Sequence, residues 1–112
     1  MSKYILLVDD DDELKQKLSE QLQKSGYMVK TLPNGKECCK LLEKEKPDLI
    51  IVDYFMPEID GLSVIHNLQN KQLNIPIIMI SSDKITANGF LFLRKPFSTS
   101  SLLHMVYNIF NN

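Results

Sequence analysis

Short apolar runs alternate with amphipathic stretches along the chain. Tyr4–Val8 is the first such run and reads as a buried strand. After it Leu14, Leu18 and Leu22 recur at i, i+4 and i+8, one face of a helix. Asp11 or Asp12 can cap that helix and Gly26 can end it. Met28–Leu32 predicts a second strand. Asn34-Gly35 turns the chain into a helix carrying Cys38, Leu41 and Leu42, which must stop before Pro47. Leu49–Val52 is apolar at every position, as a central parallel strand is, and leads into Asp53. Tyr54–Asp60, with Pro57, predicts a loop. The helix after it begins near Gly61 and buries Leu62, Ile65 and Leu68. Ile77–Ile80 and Phe90–Leu93 predict two more strands, which end at Ser81-Ser82 and Arg94-Lys95-Pro96. Ser98 caps a last helix that turns Leu102, Val106, Ile109 and Phe110 inward.

Strands alternating with helices imply right-handed βαβ units and one parallel sheet. The chain is too short for two mononucleotide-binding halves. Five strands in the order 2-1-3-4-5 is the natural small solution, and residues 1–112 are expected to form one α/β domain. Composition narrows the function. A net charge of −1 offers no broad basic surface for nucleic acid. No apolar stretch approaches a membrane span, and MSKYILLVDD runs into acids without a signal-peptide cleavage pattern. A cytoplasmic setting is therefore expected. Cys38 and Cys39 are adjacent, point to different helix faces and suggest no disulfide. His66 and His104 fall in helical patterns away from any strand end. Lys15, Lys17, Lys24, Lys44 and Lys46 predict solvated faces.

In open α/β sheets ligands lie beyond the carboxyl ends of the strands, at the switch point, here between strands 1 and 3. Strand 1 ends with Asp9 and Asp10, and strand 3 with Asp53. Strands 4 and 5 add Ser81 and Lys95. A lone Asp at a strand end usually means only a turn or cap. Five such residues converging on one crevice mean more. Carboxylates packed together repel one another, and oxygen ligands without nearby His or Cys favour Mg²⁺ or a similar hard cation. A carboxylate beside such an ion can attack phosphorus and form an aspartyl phosphate. Lys95 and the Ser81 hydroxyl would meet the charge spread over the phosphoryl oxygens.

The stretches ILLVDDDDELK, PDLIIVDYFMPEIDGL, IPIIMISS and FLFLRKPF together resemble the receiver domains of two-component response regulators. The resemblance implies the three-layer flavodoxin/CheY-like doubly wound fold. It implies Asp53 as phosphoacceptor, Asp10 as a direct ligand of Mg²⁺ or Mn²⁺, and Asp9 as an acid acting through water. The backbone carbonyl of Phe55 would be a further ligand. Ser81 and Lys95 would contact the phosphoryl group, Ser82 would leave room for it, and Phe92 would be the switch aromatic that moves with Ser81. Implied partners are a sensor histidine kinase or histidine phosphotransfer protein and an unknown downstream protein. Such a protein is a switch with self-catalysed phosphotransfer and dephosphorylation, rather than an enzyme acting on other molecules.

One departure stands out. Receivers place a helix between strands 4 and 5, yet only the eight residues Ser82–Gly89 separate them here. A crossover with a helix needs about 10–12 residues. Eight extended residues reach roughly 26 Å, enough to return along a strand of about 17 Å. This helix, the fourth of the family, is expected to be lost or reduced to about one turn. Phe90 and Phe92 would then be uncovered, inviting a homodimer through the strand 4–strand 5 face. Alternatively Ile85 and Phe90 fold back over the gap. Two rival functions follow: a phosphorylation-independent pseudo-receiver, and a flavodoxin-like small-molecule binder. The acidic, glycine-free loop after strand 1 speaks against the second.

Overall fold

The computed structural model describes residues 2–56, 58–85 and 89–111. Its strands are β1 (Tyr4–Val8), β2 (Met28–Leu32), β3 (Leu49–Asp53), β4 (Ile77–Ser81) and β5 (Leu91–Arg94). Its helices are α1 (Asp12–Lys24), α2 (Gly35–Leu41), α3 (Gly61–Asn70) and α4 (Thr99–Phe110). The five strands form one parallel sheet in the order β2-β1-β3-β4-β5. Sequence alternation sorts the central strands into two cores. Leu6, Val8, Ile50, Val52, Ile77 and Met79 face Cys38 of α2 and Val64, Ile65 and Leu68 of α3. Ile5, Leu7, Leu49, Ile51, Ile78 and Ile80 face Leu18 and Leu22 of α1 and Leu102 and Val106 of α4. Each fully buried aliphatic contributes about 1.5–3 kcal/mol, so the two-sided core and not helix propensity holds the layers.

Each helix starts on a short polar side chain that accepts an otherwise unpaired backbone N–H. Asp11 accepts from Leu14, Asn34 from Glu37, Asp60 from Ser63 and Ser98 from Ser101. Asp11, and not Asp12, is thus the cap of α1.

The described part of the connection from β4 to β5, residues 82–85 and 89–90, contains no helix. Thr86–Asn88 and Pro57 lie outside the described residues. The chain does have a fourth helix, but α4 follows β5. Phe90 and Phe92 share a face as expected, yet both are half-buried against the α3-side core of their own chain, so they do not form a bare patch. Phe90 folds onto this core, and Ile85 is also half-buried.

Three smaller expectations are corrected. β5 runs from Leu91 to Arg94, one residue later than the apolar run suggests. Leu62 is only half-buried, because Gly61 takes the inward place and the buried face runs Gly61, Val64, Ile65, Leu68. Lys15 is buried rather than solvated. It sits at the border of the α1 apolar face, where its stem is covered while its ammonium reaches Asp12 at 3.3 Å.

Candidate functional site

Register and alternation build the site. Val8 pairs with Val52, so the next residues, Asp9 and Asp53, emerge side by side at the carboxyl ends of β1 and β3. Asp9 continues the Ile5–Leu7 parity, Asp53 the Leu49–Ile51 parity and Lys95 that of Leu93, all of which face α1 and α4. Ile80 pairs with Leu93 and Ser81 with Arg94, which brings the ends of β4 and β5 level with them.

Backbone bonds fix these ends. The Asp9 N–H donates to the Leu32 carbonyl at 3.1 Å, and the Tyr54 N–H to the Ile80 carbonyl at 2.8 Å. The Lys95 N–H donates to the Ser81 carbonyl at 2.9 Å. Gly35 and Gly61 stand where a side chain has no room. A Cβ on Gly61 would collide with the Met79 sulfur, and one on Gly35 would come 2.7 Å from the Ile59 carbonyl oxygen.

Asp9, Asp10 and Asp53 each offer a carboxylate oxygen within 4.8 Å of the others. Asp9 and Asp53 are buried and Asp10 is exposed. The Lys95 ammonium donates to Asp53 Oδ2 at 3.2 Å and stands 4.0 Å from Asp9 Oδ2. The Lys95 side chain is 28% exposed, so the crevice has an open mouth beside Asp53. Ser81 is fully buried, and its Oγ accepts the Asp83 N–H at 3.0 Å, a bond that does not use the hydroxyl proton. The Phe55 ring is exposed and meets the Tyr54 ring edge-on at 4.7 Å. Phe92 pairs with Met79, below the site, in contact with the α3-side core.

Electrostatics mark Asp9. Its carboxyl is pushed up to about 6, first by burial, against the Asp11 N–H that it accepts, and further by Asp53. One oxygen, Oδ1, takes that N–H at 2.9 Å. The other, Oδ2, is buried with no hydrogen-bond partner among the described residues. A buried carboxylate oxygen left bare among two more carboxylates suits a hard divalent cation, and the donor set is oxygen only. The residues therefore fit Mg²⁺ or Mn²⁺.

Of the residues expected from the sequence, the fold brings Asp9, Asp10, Asp53 and Lys95 together, and Ser81 ends the neighbouring strand β4. Ser82 lies at the mouth, where it lines a cleft of about 420 Å³ with Leu14, Lys17, Lys95 and Phe97. His66 and His104 are exposed on their helices, away from the carboxyl ends. The turn bonds at Asp83 and Arg94 escaped the sequence. The Arg94 Nε–H donates to the Ser82 carbonyl at 3.2 Å. The one available signal was the position of Arg94 opposite Ser81, which needs the β4–β5 register.

Comparison with known proteins agrees with the fold. The family model of the response regulator receiver domain matches residues 5–107. The alkaline phosphatase synthesis transcriptional regulatory protein PhoP of Bacillus subtilis is 38% identical over 106 residues, 88% of this chain and 44% of the relative. The probable transcriptional regulator ycf27 of Cyanidium caldarium is 34% identical over 114 residues, 95% and 45%. The chain spans under half the length of these relatives. Among solved structures, chemotaxis protein CheY4 of Vibrio cholerae superposes with a TM-score of 0.87 at 27% identity, covering 97% of this chain and 99% of that one. Response regulator TrrA of Thermotoga maritima, solved in complex with Mg²⁺-BeF, gives a TM-score of 0.85 at 30% identity, covering 96% and 98%. With the family model matching nearly end to end, this chain belongs to the response regulator receiver domain family.

Proposed function

We propose that this chain accepts a phosphoryl group on Asp53 from a sensor histidine kinase or histidine phosphotransfer protein, in a reaction dependent on Mg²⁺ or Mn²⁺. The observation that carries the reading is the pairing of a buried Asp53 with Lys95 at 3.2 Å beside the bare oxygen of Asp9. Receiver domains are phosphorylated on an aspartate, and Mg²⁺ binding is typical of them.

In this reading an Asp53 carboxylate oxygen forms the bond to phosphorus while the donor's bond to phosphorus breaks. The Lys95 ammonium follows the charge from Asp53 onto a phosphoryl oxygen, and the Ser81 hydroxyl donates to another. Asp10, Asp9, Asp53 and the Phe55 carbonyl would hold the divalent cation, which offsets the negative charge that three carboxylates and a phosphoryl group bring together. Ser82 keeps the mouth clear, and the open cleft by Lys95 leaves an approach for a donor. Phe92 is the proposed switch aromatic. It has no hydroxyl, so its response to a moving Ser81 is by packing alone. Output is by protein contact or phosphorelay, and a cytoplasmic setting goes with it. No helix among the described residues is long and apolar enough to cross a membrane. The β4–β5 face is a weaker homodimer surface than the sequence implies, since Phe90 and Phe92 are packed against their own core.

Titration with Mg²⁺ and beryllofluoride, a phosphoryl mimic, tests this by amide NMR. Ser81, Ser82 and Lys95 should shift together, and only when both components are present. Unmoved amides would favour the pseudo-receiver alternative.

A further inference from the structure

We propose that Arg94 is a positioning residue: its guanidinium latches the turn that carries Ser81 and so presets the phosphoryl-binding hydroxyl. The idea rests on the phosphoacceptor reading and adds a residue to it. Ser81 and Arg94 are directly paired across β4 and β5. From there two consecutive residues grip two consecutive carbonyls: the Lys95 N–H holds that of Ser81 at 2.9 Å, and the Arg94 Nε–H holds that of Ser82 at 3.2 Å. The Asp83 N–H closes the turn onto Ser81 Oγ at 3.0 Å. The hydroxyl therefore sits in a turn whose carbonyls are tied back to β5 on both sides.

Such a tie matters more here than on a longer connection. None of the described residues of the β4–β5 connection is helical, and the chain leaves the turn through exposed Ser82, Asp83 and Lys84. Arg94 is itself exposed, so its side chain is spent on the Ser82 carbonyl and not on the core. A planar guanidinium is suited to this, since it loses little freedom per hydrogen bond. Movement of Ser81 toward a phosphoryl group must carry the Ser82 carbonyl with it. Arg94 thereby sets both the resting place of the hydroxyl and the ease of its shift.

The test compares wild type, Arg94→Ala and Arg94→Lys. Acetyl phosphate with Mg²⁺ supplies the phosphoryl group, and intact mass follows its uptake. Amide hydrogen exchange at Asp83 is read on the unphosphorylated proteins. Arg94→Ala should exchange faster at Asp83 and take up phosphate about fivefold more slowly at saturating acetyl phosphate, the size one hydrogen bond is worth in a rate. Its half-saturating concentration should stay unchanged, and Arg94→Lys should recover only part of the rate. Unchanged exchange in Arg94→Ala overturns the latch whether or not phosphate is taken up. Faster exchange with an unchanged rate overturns the positioning role. A defect confined to half-saturation and cured by Lys also overturns it, since that is charge steering. A wild type that takes up no phosphate overturns the phosphoacceptor reading instead.

Discussion

Asp9 keeps a carboxyl at 2% exposure, with Oδ2 unpartnered among the described residues and the Lys95 ammonium 4.0 Å away. Burial raises it from 3.8 to about 6, so the folded state binds its proton more tightly than the unfolded chain does. The stability this proton confers is present below about pH 4 and is lost as pH rises through about 6. Asp9→Asn removes that loss. In EDTA at pH 7.5 the variant should melt about 5 °C above wild type, and the gap should close as pH is lowered toward 4. Added Mg²⁺ should raise the wild-type midpoint by mass action and leave Asp9→Asn nearly unmoved. Scanning fluorimetry across this grid checks both signs. Equal midpoints in EDTA at every pH would mean that the Asp9 carboxylate is not strained by its surroundings.

The elements that place these residues were readable from the chain because their signals are local. Tyr4–Val8 and Met28–Leu32 match β1 and β2, the Asn34-Gly35 turn leads into α2, and the Ser98 cap stands where α4 begins. Strand order then placed Asp9 and Asp53, since ligands of an open α/β sheet lie beyond the carboxyl ends at the switch point. What stayed hidden depends on tertiary contact. Lys15 looks like any solvated lysine until the border of the α1 face is known, and of the two placements the sequence left open for Phe90, only the structure selects the one folded onto the core. Gly35 belongs to the same class: only the structure shows the Ile59 carbonyl oxygen 2.7 Å from where its Cβ would go. Backbone cannot yield as a side-chain tip does, so Gly35→Ala should cost about 1–3 kcal/mol of unfolding free energy, read by denaturant titration. Ser98→Ala, the loss of one cap, should cost about 1 kcal/mol and leave phosphate uptake intact.

Two cores on the two faces of one sheet converge on a single polar rim, so chemistry at the carboxyl ends rests on packing at both sides. Phe92 packs on the α3 side only. As a half-buried part of that core, it should cost about 2 kcal/mol of unfolding free energy when cut to Ala, whereas a free surface ring would cost under about 0.5 kcal/mol. The site itself is judged most directly by intact-mass spectrometry of the chain after incubation with acetyl phosphate and Mg²⁺. One phosphoryl adduct should appear, vanish in EDTA, and be absent from Asp53→Asn. An adduct that survives Asp53→Asn, or no adduct on wild type, would contradict the assignment of Asp53.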